Sequence, residues 1–335
     1  MSNALLLGYD LSQPSFRHRM QSLVGPLVDC GWNVRTERFP RGRYVLRTWE
    51  RRELLRWADV AVLHQIKLAA LEAGLFAAFA RRRIFDFDDA IYVRKPRRLG
   101  DAVDDSIWRR RKFASTCRSV DVVAAGNEVL ARAARDSARA IEILPTAIDT
   151  ACYRPCAADA KDPPIIVWIG SPENLTYLEL VRPALAQLQS RHPRLRLKII
   201  CSRFPLWPEI RVDAVEWSSA TEAAELAGSH IGIMPLSDDA WSRGKCAFKL
   251  LQYMAAALPC VASPVGANTE AVLQGVTGFH ARDTAEWTAA LDTLIADPSL
   301  RARMGAAGRS HAEARYGMRG YRRRYVELFQ RLAAG

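Results

Sequence analysis

Short apolar runs alternate with segments of helical period from one end of this chain to the other. Runs at 4–8, 59–64, 83–87, 120–125 and 141–145, with a polar-flanked one at 33–39, read as strands. Five more follow at 164–169, 195–201, 211–217, 231–236 and 258–263. Several are apolar at every position, as strands covered on both faces of a parallel sheet are. Between them the spacing predicts helices over 16–30, with Leu23, Leu27 and Val28 inward, and over 47–57, 68–82, 104–119 and 128–135. Strand–helix alternation of this kind predicts an α/β protein with doubly wound parallel sheets. Pro145, Pro155, Pro163 and Pro164 mark an extended connection near the middle, so two units separated by a linker at 153–163 are expected.

The stretch WSRGKCAFKLLQYMAAALPCVASPVGANTE, residues 241–270, carries the densest chemistry. Good helix formers fill 245–257 and Pro259 ends the run. On such a helix Lys245, Lys249 and Gln252 share one face. Two lysines in a first turn oppose the helix dipole, and a bound anion removes that conflict. A solvated amphipathic helix is the competing reading. Gly170-Ser171 sits at a strand end before a helix, where backbone N–H groups meet a phosphate or sugar. Trp217 ends a strand and offers a ring for stacking on a base; a core tryptophan is the alternative.

In the first half the sequence FDFDDAIY places Asp86, Asp88 and Asp89 at the end of a strand. Carboxylates so close repel one another unless a cation, a hydroxyl or an arginine meets them. A metal-binding Asp-x-Asp, a contact to a sugar or acceptor hydroxyl through Asp88 or Asp89, and structural capping are the three readings. Ser15, Arg17 and Arg19 follow the first strand, on the rim where doubly wound sheets meet ligands. His64 ends the third strand, as a ligand contact or a structural histidine.

Composition narrows the field. With 335 residues and 49% hydrophobic content, two ordinary cores can be filled. No run of eighteen apolar residues predicts a membrane span, and MSNALLLGYD reads as a strand rather than a signal peptide. Seven scattered cysteines without a Cys/His cluster suggest reduced thiols and a cytosolic setting. The net charge is +12, and residues 1–150 hold 26 Lys+Arg against 18 Asp+Glu. Solvated surface, an anionic membrane face or an anionic substrate account for it, while no nucleic-acid motif accompanies it.

The 241–270 stretch resembles the nucleotide-binding helix of the large retaining glycosyltransferase family known as glycosyl transferases group 1. That family reads an acid, seven residues, a second Glu, then Met-Ala-x-Gly-x-Pro-Val-Val-Ala-Ser. This chain reads QYMAAALPCVASPVGANTE, then GVTGFHA and EWTAALDTLIADPSLRARMGAAGR, with Tyr316 closing the match. The resemblance is strongest to a bacterial branch with Trp-x-x-Gly-Lys and Gln-Tyr-Met-Ala. It implies the GT-B fold, two facing Rossmann-like domains, with a last helix that crosses back. The domains are then 1–152 with 316–335 on the acceptor side and 164–315 on the donor side. On the last helix Tyr325, Leu328 and Phe329 form the buried stripe.

The resemblance implies transfer of a sugar from a nucleoside-diphosphate sugar to a hydroxyl of a glycan or lipid-linked acceptor, with retention, in cell-envelope polysaccharide or glycolipid synthesis. No tightly bound cofactor and no required metal are expected, and the setting is the cytoplasm or its membrane face. Gly170, Ser171, Trp217, Lys245, Lys249 and Gln252 would bind the donor, Arg17 and Arg19 the acceptor side, and Asp88 or Asp89 the sugar or acceptor. Gln252 stands where the second Glu falls and Gly244 where the first does, so Asp238 or Asp239 is the substitute for the lost sugar contact. An inverting transferase, a nucleotide-sugar epimerase and a non-catalytic scaffold remain alternatives of the same fold.

Overall fold

The computed structural model describes residues 1–42, 44–96, 98–101, 103, 106–155 and 164–335. Cys156, Pro163, most of the linker and the start of the helix read at 104–119 lie outside these. Two six-stranded parallel sheets make up the framework. The first contains β1 (Ser2–Gly8), β2 (Trp32–Arg38), β3 (Val60–His64), β4 (Arg82–Phe87), β5 (Val122–Ala125) and β6 (Ile141–Ile143), ordered β2-β1-β3-β4-β5-β6. The second contains β7 (Ile165–Ile169), β8 (Arg196–Cys201), β9 (Val212–Glu216), β10 (Ile231–Met234), β11 (Cys260–Ala262) and β12 (Gly278–His280), ordered β12-β11-β10-β7-β8-β9.

The sequence pattern accounts for each strand's place. β3, apolar up to its last residue His64, and β5, apolar throughout, are buried at every residue and lie inside the sheet. β2 alternates between buried and exposed and lies at an edge. Helices cover both faces, giving each sheet two hydrophobic clusters. The facing doubly wound architecture is therefore the one expected.

Some local expectations change. The helix read at 16–30 is split into Pro14–Arg19 and Val24–Asp29 by a tight turn, and Val28 points to solvent. The helix read at 47–57 is likewise two helices, Tyr44–Glu50 and Arg52–Trp57. At the far end Gly317 separates the helices Pro298–Tyr316 and Met318–Ala334. The last helix lays Tyr325, Leu328 and Phe329 on the first sheet together with Phe16 and Trp32. Between the two sheets the chain crosses twice, and the crossings are joined: the Ile148 N–H donates to Tyr316 O (2.9 Å) and the Met318 N–H to Ile148 O (3.0 Å).

Candidate functional site

The loops that leave the carboxyl ends of both sheets enclose a cleft of about 680 Å³. Ligands of doubly wound sheets bind beside the point where strand order reverses. That point lies between β1 and β3 in the first sheet and between β7 and β10 in the second. Of the ten residues assigned to the donor, to the acceptor side or, as Asp88 and Asp89, to the sugar or acceptor, nine line this cleft: Arg17, Asp88 and Asp89 from the first half, and Gly170, Ser171, Trp217, Lys245, Lys249 and Gln252 from the second. Arg19 is the exception, being fully buried behind it.

The wall of the first half is built on a row across three paired strands, in which Gly8 of β1 faces His64 of β3 and His64 faces Asp86 of β4. Asp86 is fully buried. Arg19 donates to both its oxygens (Nε 2.9 Å, Nη2 2.5 Å), His64 Nδ1 lies 2.7 Å from Oδ1, and Tyr325 of the last helix donates to Oδ2. Burial by itself raises a carboxyl pKa; the Arg19 charge and these donors outweigh it and hold Asp86 well below the usual carboxylate range. Asp86 is thus committed to the protein interior, and an Asp86-x-Asp88 pair does not face one cation in the cleft. Arg19 is correspondingly a structural cation and not a rim residue.

From Asp86 the network runs outward. His64 Nε2 is 2.9 Å from Ser15 Oγ, and Ser15 donates to Asp88 Oδ1 at 2.6 Å, where Gln65 Nε2 also donates at 2.5 Å. Ser15 Oγ therefore links the His64 ring to the Asp88 carboxylate. Asp88 Oδ1 is held by two donors while the residue lines the cleft, so its second oxygen is the one available to a ligand hydroxyl. Gln65 makes its contact from a left-handed conformation (φ 55°), which non-glycine residues adopt at a cost of about 1 kcal/mol. For the neighbouring Asp89, burial pushes the carboxyl up to about 6, against the pull of Lys245 and with the repulsion of Asp88.

The opposite wall corrects the expected helix. Lys245 is extended, Ala247 is left-handed (φ 55°) and the helix is Phe248–Ala255, not 245–257. Lys245 and Lys249 still converge on the cleft, the first from the turn and the second from the helix start. Lys249 Nζ lies 5.5 Å from the centre of the Trp168 ring and Lys245 Nζ 5.8 Å from those of Tyr177 and Trp241. Burial pulls the Lys249 ammonium down to about 7, and the charges of Lys245 and Lys95 act in the same direction. Gly170 makes this packing possible. A Cβ there would stand 2.6 Å from the Trp168 ring and 2.8 Å from Lys249 Cε.

Gln252 donates to the Tyr153 hydroxyl at 3.1 Å, and that hydroxyl lies 3.5 Å from Glu222 Oε1. Trp217 donates its ring N–H to Glu222 Oε2 at 2.9 Å, which ties the indole edge down beside the cleft. Glu222 also lines the cleft, so a carboxylate is present on this wall although position 252 lacks one. Asp238 and Asp239 are not its substitutes. Asp238 is paired with Arg243 and Asp239 caps the turn at Trp241 and Ser242. Gly244 faces the other half of the molecule, where a Cβ would be 2.5 Å from Ala90 Cβ.

The two halves meet through contacts that no motif announced. Lys95 donates to Glu173 O and Asn174 Oδ1, both at 2.9 Å, and Asn127 Nδ2 donates to Gly244 O (3.2 Å) and Lys245 O (3.1 Å). His18 stacks on Phe248 with ring centres 4.3 Å apart, and burial beside Arg17 lowers its pKa to about 4, so the ring is neutral at pH 7. The available sequence signal was position alone, since His18, Gln65 and Asn127 all follow strand ends.

Residues 163–297 match the family model described as glycosyl transferases group 1. A curated relative, D-inositol 3-phosphate glycosyltransferase of Arthrobacter sp. (strain FB24), is 26% identical over a match covering 52% of this chain and 46% of the relative. The chain thus matches a little under half of that relative's length. Among solved structures, it is similar to sucrose-phosphate synthase from Thermosynechococcus elongatus (TM-score 0.75, 15% identity, 100% of both chains covered). It is also similar to Anabaena HepE in complex with UDP and glucose (TM-score 0.73, 14% identity, 98% of this chain and 100% of the other). At such identities the likeness establishes the fold, a GT-B-type pair of facing sheets.

Proposed function

We propose that this protein is a glycosyltransferase that moves a sugar from a nucleoside-diphosphate sugar to a hydroxyl group held at the wall formed by its first half. The observation that carries this reading is the pair of ammonium groups, Lys245 and Lys249, in a cleft that also presents the Gly170-Ser171 strand end. Neither lysine has a carboxylate ion-pair partner among the described residues. The diphosphate sits against these groups, and its growing negative charge as the sugar–phosphate bond breaks is stabilised by them. The base and ribose lie toward Trp217, Glu222 and Gln252. Asp88 takes the acceptor or sugar hydroxyl with its free oxygen. The family match in the second half supports the donor side, and the resemblance read from sequence supports retention. The acceptor in this reading is a glycan or a lipid-linked molecule, in cell-envelope polysaccharide or glycolipid synthesis.

Calorimetric titration with UDP, GDP and dTDP tests the donor site. UDP goes first because the HepE complex contains it. One nucleotide is expected to bind, and Lys249→Ala to weaken it at least tenfold, about 1.4 kcal/mol. Failure of all three to bind, with or without Mg²⁺, would leave a non-catalytic scaffold as the better reading.

The same titration carries a pH signature. The Lys249 pKa is near 7 in the free protein, and an adjacent diphosphate raises it in the complex. Affinity is then greatest below about 7 and falls as pH rises from there towards the higher pKa of the complex, by at most about tenfold per unit. At pH 8 binding takes up protons, seen as a dependence of the heat on buffer ionisation. In Lys249→Ala this component is expected to vanish; a wild-type affinity flat from pH 6 to pH 9 would remove Lys249 from the site.

A further inference from the structure

Twelve large hydrophobic side chains stand exposed among the described residues, and half of them belong to three helices of the first half. Tyr44, Leu46 and Trp49 come from Tyr44–Glu50, Leu71 from Ala70–Phe79, and Ile107 and Trp108 from Ile107–Ser119. Trp108 and Leu71 are the extremes, 67% and 69% exposed. The helices lie side by side. Arg47 of the first is paired with Glu72 of the second, Trp49 packs edge-on to Phe79 of the second, and Lys112 of the third lies 4.1 Å from the centre of the Tyr44 ring.

Among the described residues, the charge around these tips is mainly basic. The helix Ile107–Ser119 reads IWRRRKFASTCRS, with four consecutive basic residues and no carboxylate. Arg111 lies over Trp108 (5.4 Å) and Arg52 over Trp49 (5.1 Å). The carboxylates of the three helices and of their neighbour Arg52–Trp57 are already engaged: Glu72 is buried on Arg47, Glu53 is paired with Arg52 and Arg56, and Glu50 has a partner as well. Tryptophan, tyrosine and branched aliphatic tips among arginines and lysines are the composition of a surface that enters the headgroup layer of an anionic bilayer. An acidic protein would satisfy the charges and leave the apolar tips to water.

We propose that this three-helix face docks on an anionic lipid surface. Its position has a consequence. In a parallel sheet the helices start where the strands end, so Tyr44, Leu71, Ile107 and Trp108, all at helix starts, stand at the edge that opens on the cleft. Docking there places the cleft mouth at headgroup level, where a lipid-linked acceptor hydroxyl would be. That consequence rests on the transferase reading, whereas the docking does not.

Flotation of the full chain with vesicles of phosphatidylcholine, alone or with about a third phosphatidylglycerol, tests it. Binding is expected to the anionic vesicles only, to weaken with salt, and to fall at least about tenfold in Ile107→Ser/Trp108→Ser and in Arg109→Gln/Arg111→Gln. Thermal melting and UDP titration of both variants should match the parent, because Ile107, Trp108 and Arg111 are exposed and Arg109 is only half-buried. Equal binding to neutral vesicles, no binding, or binding indifferent to these substitutions would overturn the proposal. So would capture by polyglutamate through the same residues without vesicle binding, which marks an acidic-protein site. Vesicle binding without any nucleotide binding would sink the transferase reading and leave the docking face standing.

Discussion

Asp86→Ala should cost the protein about 3–5 kcal/mol of stability, the penalty for leaving one partner of a buried ion pair without the other. Both Arg19 and Asp86 have no exposed side-chain surface. With the carboxylate gone, the guanidinium keeps only Leu144 O at 2.9 Å and Thr146 Oγ1 at 3.2 Å. Tyr325 loses the acceptor that pins the last helix to the first sheet, and His64 loses the group that orients its ring. Urea unfolding followed by circular dichroism measures the loss. The double variant Arg19→Met/Asp86→Leu is expected to be more stable than Asp86→Ala, because no lone buried charge remains. A loss below about 1 kcal/mol in Asp86→Ala would show that Arg19 finds water or another acceptor.

The same pair sets an acid limit. A carboxyl held below its ordinary value contributes stability that is complete above the unfolded-state pKa of about 4 and is lost as pH falls below it. The wild-type urea midpoint should therefore drop steeply below about pH 4, more steeply than that of Asp86→Asn, which is less stable at pH 7 but has no such group to protonate. Parallel acid profiles for the two proteins would contradict this assignment.

Gly244→Glu would put back an acid where the family resemblance calls for one, yet it should lower turnover about 100-fold. Any side chain here meets backbone: a Cβ at Gly244 would approach Ala90 Cβ to 2.5 Å and Ala90 N to 3.0 Å. Backbone cannot rotate away as a side-chain end can, so the two halves must separate. Separation breaks the Asn127 hydrogen bonds to Gly244 O and Lys245 O and moves the lysines away from Asp88 and Asp89. A displacement of about 1 Å between catalytic groups costs about 100-fold in rate, the expected loss in kcat/KM with the donor identified by calorimetry. Nucleotide affinity should stay within about fivefold, because the donor wall lies in the second half and moves as a unit. Small-angle scattering should report a more open molecule. Wild-type turnover in Gly244→Glu would mean that the halves work in a more open arrangement than this one.

Fold and site were legible to different degrees, for reasons visible in particular residues. β3 and β5 could be read because a strand covered on both faces is a nearly continuous apolar run. Lys245, Lys249 and Gln252 could be placed together because they are close in sequence, even though the helix proved shorter. The left-handed Ala247 that shortens it has no local signature, since alanine favours helix.

Arg19, Asp238 and Asp239 show the opposite case. Each is a charged residue beside a strand end, and position suggested a ligand; each spends its charge on a protein partner chosen by packing. Glu222 was invisible because its contacts, Trp217 and Tyr153, come from 5 and 69 residues away.

Local order in the chain was enough to establish the strand and helix alternation, the two sheets and the rim on which a ligand must sit, because hydrophobic period and strand polarity are properties of neighbouring residues. Folding in three dimensions chose which charges face the cleft and which are neutralised inside. It also wired Asp88 through Ser15 and His64 to Asp86, residues 73, 49 and 22 positions apart in successive links. The physical reason is that a buried charge must find its partner wherever the fold places one, and sequence distance has no bearing on that search.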